Sequence, residues 1–180
     1  MLVKALLLLF LGILFTASQP NIDASADWTV YLSKAGPIRI GMSLIEVRKV
    51  IQDPKAFLAD GSMDPEPDDS ECAYLESIRV PKQMDLMFQK GKLVRIDVNE
   101  RGIRTASGAQ VGDSETRIKQ LYPNRIKVAP HHYIPESGHY LNYFPIRKNG
   151  YGMVFETDNG VVTSFRVGTL AAIALVEGCS

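Results

Sequence analysis

His131, His132 and His139 fall within nine residues, with Glu136 between them, and they are the only histidines in the chain. Imidazoles with a carboxylate are suitable zinc ligands and general acid–base groups. Successive residues on a strand point to opposite faces, however, so His131 and His132 do not easily serve one ion. Surface or hydrogen-bonded histidines are therefore expected, with no metal site assigned and no cofactor implied. Tyr122, Tyr133, Tyr140, Tyr143 and Tyr151, five of the seven tyrosines, crowd the same region. Tyrosine supplies a large, stiff, amphipathic contact area, which recognition surfaces favour. Tyr133, Tyr140 and Tyr143, with His131, are the candidate binding residues, while Tyr122 reads as core-facing. A competing constellation for small-ligand binding or hydrolysis is His131, Glu136 and Tyr140. The nearest approach to a nucleophile elbow, Gly41-Met42-Ser43-Leu44-Ile45, lacks the second glycine and is better explained as a helix cap. His-Glu-x-x-His, Walker and Cys-x-x-Cys motifs are absent, and no catalytic residue is assigned.

The elements that position these residues follow a repeat. Ile40-Gly41-Met42-Ser43 before Val47, Val50 and Ile51 lines up with Val111-Gly112-Asp113-Ser114 before Ile118, Leu121 and Tyr122. In each copy a serine caps a helix by accepting an early backbone N–H, Ser43 with Glu46 forms a capping box, and the apolar spacing gives one buried helical face. Proline follows each helix, at Pro54 and Pro123. A second repeat reads as hairpins, Met87 to Val98 through Gly91 and Val154 to Val167 through Asn159-Gly160, the second with two more residues in its turn. Alternation places Leu93, Arg95 and Asp97 on one face and Val94, Ile96 and Val98 on the other. Thr29–Leu32, Tyr74–Val80, Tyr140–Phe144 and Ala172–Val176 are further strand candidates.

The chain of 180 residues carries 20 Lys and Arg against 20 Asp and Glu, a balance that argues against a general nucleic-acid binder. The charge is segregated. Asp60, Asp64, Glu66, Asp68, Asp69, Glu71 and Glu76 form an acidic run without the spacing of an EF-hand loop, ahead of a stretch rich in Lys and Arg from Arg79 to Arg104. Lys4 followed by the apolar run Ala5 to Phe15 has the layout of a secretory signal peptide, 1–26, with an alternative cleavage after Ser18. The run is shorter than the roughly 20 residues of a membrane span, so no permanent anchor is expected after cleavage. Export makes a Cys72–Cys179 bridge the expected state of the two cysteines, two buried free thiols being the alternative.

Gly36-Pro37-Ile38-Arg39-Ile40-Gly41-Met42-Ser43, Thr105 to Glu115 and Glu177-Gly178-Cys179-Ser180 resemble a group of exported bacterial proteins of unknown function. The repeat also resembles the tandem helix-plus-sheet fold of the beta-lactamase inhibitory protein and, more distantly, the small lipoproteins of outer-membrane assembly. The lipobox cysteine of those lipoproteins is missing. The expectation is an α+β protein of two tandem helix-plus-antiparallel-sheet units, 28–106 and 107–180, joined by one disulfide and located in the periplasm or secreted. It would act without catalysis, binding another envelope or extracellular protein through a tyrosine-bearing sheet face. A structural envelope factor is the remaining alternative.

Overall fold

Lys90-Gly91 and Asn159-Gly160 each have positive φ at both residues, the backbone of a two-residue turn whose twist matches that of the strands it joins. The first closes β6 (Met84–Gln89) onto β7 (Lys92–Val98), and the second closes β10 (Tyr151–Asp158) onto β11 (Val161–Thr169). The turns are thus equal in length, and the two extra residues expected in the second are not there. The apolar pairs Met87-Phe88 and Val154-Phe155 misalign the hairpins, because Thr157 holds the place of Phe88. Phe88 pairs with Leu93 and Thr157 with Val162, and each hairpin shifts register at that step.

The computed structural model describes residues 27–59, 72–145 and 150–179. The expected signal segment and the acidic residues Asp60 to Glu71 lie outside them. β1 (Val30–Tyr31), β2 (Lys34–Ala35) and β3 (Ile38–Arg39) form a small sheet ahead of α1 (Leu44–Ile51). Then come β4 (Phe57–Ala59), β5 (Ala73–Glu76), β6 and β7, followed by α2 (Glu115–Leu121), β8 (Ile126–Pro130), β9 (Gly138–Tyr143), β10, β11 and α3 (Leu170–Ile173). One eight-stranded antiparallel sheet runs β4-β5-β6-β7-β11-β10-β9-β8, so the second hairpin strands, β7 and β11, meet at its centre. The protein is mixed α+β, mostly antiparallel sheet with few helices, and carries the disulfide Cys72–Cys179.

The approach to each helix is pinned in the same way. Gly41 donates its N–H to Leu93 and Leu93 returns one to Met42; Gly112 donates to Val162 and Val162 returns one to Asp113. Gly41 and Gly112 both need positive φ to make this turn, at 94° and 89°. Ser43 then caps α1 in a full capping box with Glu46, and the Ser114 hydroxyl accepts the Arg117 N–H to cap α2. Ala172 to Val176, expected as a strand, contains the end of α3 instead. The Thr169 hydroxyl caps that helix by accepting the Ala172 N–H at 3.2 Å, and small alanines favour the turn.

Leu44, Val47 and Ile51 of α1 and Ile118 of α2 share one buried cluster with Leu86, Phe88, Ile96, Val98, Leu141, Phe155 and Phe165 of the sheet. Leu93 belongs to that cluster too, not to the face of Arg95 and Asp97. The register shift inserts Val94 as an extra residue on β7, which turns Leu93 inward. On the opposite face Met87 and Val154 of the sheet are buried, as are Ala172 and Ile173 of α3. β7 and β11 lie close together at Gly168, where a Cβ would stand 2.2 Å from the Val94 carbonyl oxygen. Gly168→Ala is therefore expected to cost roughly 1–3 kcal/mol through forced separation of β7 and β11, measured by urea unfolding.

Candidate functional site

The face of the sheet away from α1 and α2 carries charge in nearly every strand. On β7, Arg95 grips Asp97 through Nε at 2.8 and 2.9 Å and Nη2 at 2.6 Å, both side chains almost wholly buried. Desolvation holds the Asp97 carboxyl above the usual carboxylate range, outweighing the bonds from Arg95. Arg95 Nη1 reaches the carbonyls of Ala172 (3.3 Å) and Leu175 (2.6 Å). Arg166 on β11 pairs with Glu156 on β10, and its Nε donates to the Ile173 carbonyl at 2.8 Å. Two buried arginines thus hold the chain after β11 against the sheet, and the disulfide ties its last described residue to Cys72 beside β5.

A second layer builds outward from Glu156. Register places Tyr140 of β9 opposite it, and the Tyr140 ring lies between the Arg166 guanidinium, 5.7 Å from its centroid, and the His131 ring, stacked at 4.7 Å. His131 Nε2 stands 3.4 Å from Glu156 Oε2, while His131 Nδ1 accepts the backbone N–H of Tyr133 at 3.2 Å. Nδ1 therefore carries the lone pair, and Nε2 carries the proton that faces Glu156. Both ring nitrogens are occupied, so His131 presents no free lone pair to a substrate. Glu136 is exposed on the loop, and the carboxylate beside His131 is Glu156 instead. His131, Glu136 and Tyr140 accordingly do not converge as a catalytic set.

Tyr133 projects from the β8–β9 loop at 56% exposure, next to the exposed Ile134 and Pro135. Its hydroxyl donates to the Glu177 carboxylate, and that bond to an anion raises the phenol above its ordinary range. The loop backbone is well satisfied: His131 N–H to Gly138 (3.0 Å), His132 N–H to the Tyr140 hydroxyl (3.3 Å) and Gly138 N–H to Ile134 (2.8 Å). The tyrosines are not all on one face. Tyr140 lies with Glu156, whereas Tyr143 lies with the helices and packs on Tyr122 at 4.5 Å between centroids. The spacing of three residues between them, an odd step along one strand, carries that signal in the sequence.

The histidines also part company. His139 Nδ1 lies 2.7 Å from Glu115 at the start of α2, where the Thr157 hydroxyl donates to the same carboxylate oxygen at 2.7 Å. Desolvation pushes the Glu115 carboxyl up, yet the bonds from Thr157, His139 and Lys119 together hold it below its ordinary range. Among the described residues no three His, Cys, Asp or Glu side chains are grouped to hold a metal ion, and no helix is long and apolar enough to cross a membrane.

No protein-family model matches the chain, and no curated protein matches it significantly. Among solved structures it is similar to an extracellular protein containing a SCP domain from Bacillus anthracis str. Ames, at 11% identity and TM-score 0.46, over 88% of this chain. It spans 50% of that protein's length. It is also similar to the uncharacterized protein yfeY from Escherichia coli, at 12% identity and TM-score 0.40, over 78% of this chain and 99% of that one.

Proposed function

We propose that this is an exported protein, periplasmic or secreted, which binds another envelope or extracellular protein through the β8–β9 loop and the adjoining polar sheet face. The observation that carries the reading is Tyr133: a large aromatic side chain held out to solvent by a loop whose backbone is already hydrogen-bonded. An anchor fixed before contact avoids most of the ordering cost of association. Tyr133 and Ile134 supply apolar area, and Glu177 and His132 supply a polar rim. The disulfide fits an oxidising compartment. The architecture belongs to the same proposal: two tandem units, 28–106 and 107–180, in the manner of the beta-lactamase inhibitory protein. The twin Gly-to-hairpin clamps and twin register shifts support it.

Capture from bacterial envelope extract with wild-type and Tyr133→Ala baits, both oxidised, tests the binding reading. A protein recovered in stoichiometric amount by the wild type and depleted with the variant is expected. Equal recovery by both baits contradicts it.

A further inference from the structure

We propose that His131 is a proton-operated latch on the β8–β9 loop, holding Tyr133 in place while the ring is neutral and releasing it when the ring takes a second proton. The proposal rests on reading this loop as the binding surface, but its test uses the free protein.

The ring occupies a junction. Glu156 of β10 faces Nε2 and is itself paired with Arg166 of β11; Tyr140 of β9 stacks on the ring; His132 and Tyr133 flank it on its own loop; and Glu177 of the C-terminal tail reaches it through the Tyr133 hydroxyl. The bond that matters is Tyr133 N–H to Nδ1 at 3.2 Å, because it needs the lone pair that a second proton removes. In the imidazolium, Nδ1–H and the Tyr133 N–H are two donors face to face, and Glu156 draws the cation the other way. Tyr133 then loses the bond that fixes its backbone, and its hydroxyl contact with Glu177 loosens with it. Imidazole is the side chain whose ordinary charge change falls between about pH 5 and 8, the range over which exported proteins meet changing acidity.

Asparagine at this position offers an oxygen acceptor to the N–H two residues on, and it does not titrate. The experiment is amide exchange of Tyr133, corrected for intrinsic rates, in free oxidised wild type and His131→Asn from about pH 8 to about pH 5. Protection in the wild type should fall about fivefold, the weight of one ordinary hydrogen bond, with the midpoint of the His131 ring titration seen by NMR. In His131→Asn it should stay level. His139 beside Glu115 is the same in both proteins, so its contribution cancels. A level wild-type profile, an equal fall in the variant, or different midpoints for ring and amide would overturn the latch while leaving the Tyr133→Ala capture result intact.

Discussion

Changing both Cys72 and Cys179 to serine is expected to lower the unfolding free energy by about 4 kcal/mol, and Tm by roughly 10 °C. The bridge closes a separation of 107 residues, so its removal frees the unfolded chain across most of the described sheet. The effect on the site is separate. The tail crosses the polar face from α3 to Cys179, held on the way by Arg95, Arg166 and Tyr133. Without the bridge its last residues depend on those bonds and on the Tyr74 hydroxyl at the Cys179 backbone, and protection at Glu177 and Tyr133 should drop before the core opens. Urea unfolding followed by circular dichroism gives the first quantity, and amide exchange gives the second. A loss below about 1 kcal/mol would mean that the arginines already hold the tail as firmly as the covalent link does.

Asp97→Ala should cost about 3–5 kcal/mol, because it strands the Arg95 guanidinium in a buried site with only carbonyl oxygens for company. The companion experiment is Arg95→Met with Asp97→Leu, which removes both charges and keeps the volume. That double variant should recover most of the loss, since the pair's desolvation cost disappears with it. The tail should then be looser than in the wild type, because the Arg95 bonds to Ala172 and Leu175 are gone. Chemical denaturation of the three proteins measures both the single and the paired cost.

Residues that act within one element were legible in the sequence. Ser43 with Glu46 and Ser114 announce helix starts and Asn159-Gly160 announces a hairpin, while the bridge is the one link between distant elements that a count of two cysteines could suggest. What escaped depends on contacts between elements. One inserted residue, Val94, moves Leu93 from one face to the other, and nothing in the local alternation of apolar and polar residues marks it. The strand expected over Ala172–Val176 holds the end of α3 instead, where a threonine cap and the arginine bonds to the Ala172 and Ile173 carbonyls decide the outcome. Glu156 and Arg166 are visible as charges inside otherwise apolar strands. Their meeting with His131 requires the β9–β10–β11 register, which links residues far apart in the chain. Glu136 is near His131 in sequence, but the register brings Glu156 beside the ring. The separation of Tyr140 from Tyr143 was readable in principle, since three steps along a strand reverse the face.

The proposed function requires a preset Tyr133 loop to bind a protein partner. The most direct measurement is the dissociation constant of the purified captured partner for oxidised wild type, Tyr133→Ala and Ile45→Ala, the last removing a still more exposed apolar side chain from α1. Tyr133→Ala should weaken binding by about thirtyfold or more, as loss of a central aromatic anchor does, while Ile45→Ala leaves it within about threefold. Equal affinities for wild type and Tyr133→Ala, in two folded proteins, would contradict the account.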